Sequence, residues 1–98
     1  MITKIRKRDG REVPFNSEKI VNAIFKAASA VGGSDFDRAI DLARKVVEEL
    51  ELKYNDEIPG VEQVQDVVEK VLINEGHAKT AKEYILYRAE RSDRKSVV

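Results

Sequence analysis

Cysteine is absent from this sequence. That one absence excludes disulfide scaffolds, thiolate zinc sites, iron–sulfur clusters and cysteine nucleophiles. Histidine occurs once, at His77, so neither a His-based metal site nor a Ser-His-Asp triad can be completed. No apolar run approaches the ~18 residues that span a bilayer. The basic N-terminus, MITKIRKRDG, is not followed by the apolar stretch of a signal peptide, so a cytoplasmic location with no membrane partner is expected. Net charge is lacking too: 18 Lys and Arg balance 18 Asp and Glu, which counts against a generic cationic nucleic-acid coat. There is no Walker A loop and no dinucleotide-type Gly-x-Gly-x-x-Gly.

What is present is enough for one small domain: 98 residues, 42% of them hydrophobic. Charged residues make up 37%, above the usual ~25%, but strong periodicity argues for a folded chain rather than a disordered one. The neutral total hides a pattern. Residues 1–30 hold seven basic and three acidic side chains, residues 31–76 five and twelve, and residues 77–98 six and three. The chain is basic at both ends and acidic in the middle. If the ends meet in space, they form one cationic patch.

Residues 2–7 and 11–15 read as two short strands, with β-branched Ile2, Thr3 and Ile5 in the first. Asp9-Gly10 between them is a hairpin signal, expected as a type I′ turn, and Pro14 should end the second strand or face an edge. Asn16 or Ser17 can cap a first helix, whose stripe is Ile20, Ala23, Ile24, Ala27 and Val31 and whose stop is Gly32-Gly33. Ser34 is the expected cap of a second helix with a face of Phe36, Ile40, Ala43, Val47 and Leu50. A loop over 53–60 leads to a third helix near Val61, with Val64, Val67, Val68, Val71 and Leu72 buried and Gly76 at its end. A fourth helix over roughly 78–93 has Ala78, Ala81, Ile85 and Ala89 as its core face. The predicted fold is α+β and mostly helical, a short N-terminal β-hairpin covering a four-helix bundle. Residues 92–98 form a polar tail.

Catalysis finds little support. The carboxylates fall on faces that read as solvated, His77 sits at a helix junction as a capping or surface residue, and the chain is not expected to be an enzyme. The basic hairpin is more informative. Lys7 and Arg8 lead into the turn, and Lys19 lies one turn into the following helix, whose first N–H groups and dipole favour an anion. Phe15 reads first as a core residue and Asn16 first as a cap, yet a base stacked near Phe15 with phosphates toward Lys7 and Arg8 fits the same geometry. On the last helix, Tyr84, Tyr87, Arg88 and Arg91 share one face by their spacing of three and four. Aromatic and arginine residues on one stripe suit an interface with another copy of the chain.

Three segments carry a family resemblance. Lys-Arg-Asp-Gly-x-x-x-Pro-Phe-Asn-x-x-Lys-Ile at 7–20, Val-Gln-Asp-Val-Val-Glu at 64–69, and Ala-Lys-x-Tyr-Ile-x-Tyr-Arg-x-x-Arg at 81–91 resemble, in order and separation, the motifs of the ATP-cone domain. The domain would occupy residues 1–91. The resemblance implies a regulatory module that binds ATP or dATP, with Mg2+ held through the phosphates, and that changes the oligomeric state or activity of what it is attached to. Cones are found at the N-terminus of ribonucleotide reductases and in the zinc-ribbon repressor of reductase genes. The implied partners are an adenine nucleotide and a reductase catalytic domain or another copy of the chain. The implied nucleotide-binding residues are Ile5, Lys7, Arg8, Val13, Pro14, Phe15, Asn16, Lys19, Val61, Gln65, and Arg88 or Arg91. Two positions depart from the pattern: Val61 stands where some members have a hydroxyl residue, and Glu90 where some have a lysine. The absence of cysteine leaves no zinc ribbon in these residues, so the chain is expected to be a free-standing cone or a fragment of a larger enzyme. The competing function is a small nucleic-acid-binding module using the basic hairpin and the Tyr/Arg face of the last helix, against which zero net charge weighs.

Overall fold

The computed structural model describes residues 2–97, with side chains described for 2–89. Two strands, β1 (Lys4–Arg6) and β2 (Glu12–Pro14), precede four helices: α1 (Ser17–Ala30), α2 (Phe36–Lys53), α3 (Val61–Asn74) and α4 (Ala78–Val97). The strands pair antiparallel, with Lys4 opposite Pro14, Ile5 opposite Val13 and Arg6 opposite Glu12. Ile5 and Val13 turn inward and their neighbours turn out, as the two-residue period requires.

The turn is not type I′. Gly10 N–H donates to Lys7 O at 2.9 Å, and Lys7 N–H donates to Arg11 O at 2.7 Å. Arg8 and Asp9 therefore occupy the middle of a tight turn with no positive φ, and only Gly10 is left-handed, at φ 91°. This is the three-residue hairpin with a glycine bulge. The Asp9 carboxylate secures it by accepting from the Arg11 N–H at 3.0 Å and from Arg11 Nε at 2.7 Å. The backbone hydrogen bond from Arg11, reinforced by its guanidinium, holds the Asp9 carboxyl below its ordinary range.

The hairpin is marginal alone, and the chain supports it on a second edge. Arg6 N–H donates to Pro59 O at 2.9 Å, and Arg6 forms a parallel bridge with Gly60. The loop before α3 thus runs along β1, anchored by the fully buried Pro59. The segment read from sequence as a plain loop is a partial third strand, and it delivers α3 against the hairpin.

Asn16 caps α1, its side chain accepting from the Glu18 N–H at 3.0 Å. The helix ends where Gly32 adopts φ 91° and Gly33 N–H returns to Ala28 O. Asp35, not Ser34, caps α2, accepting from the Arg38 N–H at 3.1 Å; its carboxylate also faces the positive end of the dipole, which a serine hydroxyl does less well. Gly60 is the N-cap of α3, with the Gln63 side chain reaching back to accept from its N–H at 2.8 Å.

The helices form a closed square in which α1 packs on α2 and α4, and α3 packs on α2 and α4. Ile24, Val46, Leu50, Val68 and Leu72 are its fully buried centre. The α3 stripe is buried as read from sequence. On α2 the buried row is Ala39, Leu42, Ala43, Val46 and Leu50, while Phe36 is exposed and Ile40 and Val47 are half-buried. The apolar arc of α2 is wider than one row, and packing between α1 and α3 selects its middle. Small Ala39 and Ala43 let those neighbours approach. Phe36 instead meets Phe25 edge-on at 5.2 Å, tying the start of α2 to α1. His77, at the α3–α4 turn, accepts from Arg38 Nε at 3.3 Å and joins that turn to α2.

α4 is rotated relative to the sequence reading. Thr80, Ala81 and Tyr84 are buried, whereas Ala78, Ile85 and Ala89 are exposed. A phenol ring offers more area to bury than an alanine methyl, so α4 turns its Tyr84 side, rather than its Ile85 side, to the bundle. That rotation builds the site.

Candidate nucleotide site

The hairpin, one face of α1, the first turn of α3 and the middle of α4 enclose a cavity of about 430 Å³, within the ~300–1,000 Å³ range of small-molecule sites. Ile5, Val13 and Pro14 form its hairpin wall, with Phe15 and Asn16 at the crossing into α1. Lys19, Ile20, Asn22, Ala23 and Lys26 line it from α1, at the spacing of one helix face. Val61, Val64 and Gln65 contribute from α3, and Tyr84, Tyr87 and Arg88 from α4. Lys7 and Arg8 reach in from the turn.

Every residue named from sequence as nucleotide-binding lies on this cavity except Arg91, whose side chain falls outside the described residues. The structure adds Ile20, Asn22, Ala23, Lys26, Val64, Tyr84 and Tyr87. The α1 additions could have been found by extending the face of Lys19 by one and two turns. The spacing of Tyr84 and Tyr87 on α4 predicts an aromatic face suited to contact with another copy. Tyr84 is buried and Tyr87 half-buried, and both line the cavity.

Among the described residues that line it, five are cations, Lys7, Arg8, Lys19, Lys26 and Arg88, and none is a carboxylate. Apolar and aromatic side chains separate them. The Lys26 ammonium stands 5.0 Å from the centre of the Tyr87 ring, a cation–π distance. Asn16 already uses its Oδ1 to cap α1. Gln65 Oε1 is buried with no hydrogen-bond partner. A buried acceptor without a donor is costly, and Gln65 is one of the residues beside the cavity.

The two arginines have partners just outside the cavity. Arg8 Nε is 3.4 Å from Glu62 Oε1. Arg88 Nη1 donates to Asp66 Oδ1 at 3.0 Å and to Glu69 Oε1 at 2.6 Å. Burial lowers the Arg88 pKa, but hydrogen bonds to Glu69 and Asp66 more than offset this and leave it raised. The guanidinium is therefore fully charged. Among the described residues no cluster of His, Cys, Asp and Glu could hold a metal ion, and no helix is long and apolar enough to cross a membrane.

Residues 3–93 match the ATP cone domain family. The chain belongs to that family. The cone is 47% identical over 96 residues to the vitamin B12-dependent ribonucleoside-diphosphate reductase of Thermoplasma acidophilum, covering 93% of the cone and 12% of that protein. It is 38% identical over 85 residues to the anaerobic ribonucleoside-triphosphate reductase of Haemophilus influenzae, with 87% and 12% covered. To the ribonucleoside-diphosphate reductase subunit alpha of Chlamydia pneumoniae it is 35% identical over 98 residues, with 93% and 9% covered. The cone thus spans only a small part of the length of these relatives. As an ATP cone it is an allosteric, nucleotide-binding regulatory domain.

Proposed function

We propose that this cone binds ATP or dATP in the cavity between hairpin, α1, α3 and α4, and that occupancy controls the activity or oligomeric state of a ribonucleotide reductase. The observation that carries the reading is the cavity's composition: among the described lining residues, five cations and no carboxylate, set among Phe15, Tyr84, Tyr87 and aliphatic side chains. A nucleoside triphosphate needs both parts, an apolar slot for the base and fixed cations for the phosphates. Lys7, Arg8 and Lys19 take phosphates beside the α1 N-terminus, where the dipole adds to their charge, and Arg88 meets the phosphates from α4. Mg2+ travels with the phosphates.

The reductase partner rests on the relatives. Their names differ in cofactor and in the phosphorylation state of the substrate, yet all three share this stretch with the cone. A segment common to different reductase chemistries fits regulation better than any one reaction. Calorimetric titration with ATP, dATP and GTP, with Mg2+ and at fixed salt, tests the reading. Saturable binding of ATP or dATP with weaker GTP binding is expected. Equal binding of all three, or none, contradicts it. A nucleic-acid module would instead lose affinity steeply with salt across many phosphate contacts.

A further inference from the structure

We propose that Glu62, Asp66 and Glu69 are built-in competitors for the cavity's arginines and set how weakly the cone binds its ligand. The inference rests on the nucleotide reading of the cavity and goes beyond it.

The three carboxylates are spaced by four and three residues, so they form one stripe along α3. That stripe meets a cavity arginine at each end: Arg8 from the hairpin at Glu62, and Arg88 from α4 at Asp66 and Glu69. The lysines differ. Among the described residues, none of Lys7, Lys19 and Lys26 forms an ion pair with a carboxylate. The cavity therefore holds two kinds of cation. Lys7 and Lys19 meet an incoming phosphate directly and Lys26 rests over the Tyr87 ring, while the arginines must loosen an existing pair or share it.

The pairs are not equivalent. Arg88 and Glu69 have side chains only 19% and 21% exposed, so solvent screens them weakly, and Arg88 cannot leave unless another anion replaces the carboxylates. Glu62 is 64% exposed and holds Arg8 at a longer distance, a weaker restraint. In both cases the carboxylate opposes a phosphate twice, by occupying guanidinium donors and by its own negative charge nearby. For a sensor this is useful. A site whose affinity is held back responds across the range of ligand concentration it must report, rather than saturating below it.

A supporting role makes the opposite forecast: if the carboxylates only orient the arginines toward the ligand, removing their charge weakens binding. The test is calorimetric titration of Mg-ATP into the 98-residue chain, its Glu69→Gln variant and its Glu62→Gln variant. Glutamine keeps the side-chain oxygen that accepts from arginine and removes the charge. Glu69→Gln is expected to bind about tenfold tighter, the scale of one charge-assisted hydrogen bond, and Glu62→Gln about two- to threefold tighter because its pair is exposed. Glu62 lies on the surface, so its variant remains informative if Glu69→Gln fails to fold. Equal or weaker ATP binding by the folded variants, with wild type binding normally, overturns the competition and leaves the nucleotide reading standing. No binding by wild type or either variant overturns both.

Discussion

Arg88 on α4 donates to Glu69 on α3 at 2.6 Å, and the same guanidinium lines the cavity. One side chain thus belongs both to the joint between two helices and to the ligand site. Each side chain is about one-fifth exposed. Replacing Arg88 by Ala strands a mostly buried carboxylate, and a loss of about 2–3 kcal/mol in urea unfolding is expected, somewhat below the 3–5 kcal/mol of a fully buried pair. A loss under about 0.5 kcal/mol, the range of ordinary surface changes, would show that the joint is not structural.

The phosphate contacts make a separable forecast. Lys7→Ala and Lys19→Ala should each weaken ATP binding by about ten- to a hundredfold, since hydrogen bonds to charged groups contribute roughly 1.5–3 kcal/mol. Arg8→Ala should cost less, because Arg8 gives up part of its pair with Glu62 on binding. Lys53→Ala and Lys45→Ala, away from the cavity, serve as controls. Titration calorimetry checks the ranking. Wild-type affinity in both Lys7→Ala and Lys19→Ala would place the phosphates elsewhere.

The hairpin turn can be tested through its backbone. At φ 91°, a Cβ on Gly10 meets no atom within 4 Å, so the only penalty for Gly10→Ala is conformational. That penalty is about 1–2 kcal/mol for an L-residue in left-handed space. Because the turn aims Lys7 and Arg8, ATP affinity should fall alongside stability. A fully stable Gly10→Ala protein would contradict the bulge geometry.

Acid dependence follows from Glu75, whose pKa lies below the ordinary 4.5 because of its hydrogen bond from Lys45. A carboxyl with a depressed folded pKa adds stability that is complete above its unfolded pKa and is lost as pH falls through the folded value. The gap in melting midpoint between wild type and Glu75→Gln should stay constant from neutral pH down to the ordinary glutamate range and close below it. A gap that persists in strong acid would assign the effect to packing.

The sequence readings that succeeded and those that failed divide along physical lines. The α3 stripe was legible because Val64, Val67, Val68, Val71 and Leu72 form one narrow apolar row. On α2 the apolar arc was too wide for periodicity to choose a row. On α4 the polar label of tyrosine hid the ring that Tyr84 buries. The cavity residues of the hairpin and early α1 were found because they are contiguous and match a known motif. Lys26 and Asn22 lie on the same α1 face but outside the motif. The pairing of Arg88 with Asp66 and Glu69 joins residues about twenty positions apart and depends on the rotation of α4, which single-helix patterns do not encode. The β-bridge of Arg6 to Gly60 is likewise tertiary in origin.

The most direct test of the central claim is the thermal unfolding midpoint of the chain with and without Mg-ATP. A ligand that binds only the folded state adds about 2.7 kcal/mol at 100 times its Kd, a rise of roughly 10 °C or more for a domain of this size. The account expects that rise in wild type and a much smaller one in Lys19→Ala at the same ATP concentration. An unchanged midpoint in wild type at millimolar ATP and dATP, or equal rises in both proteins, would contradict it.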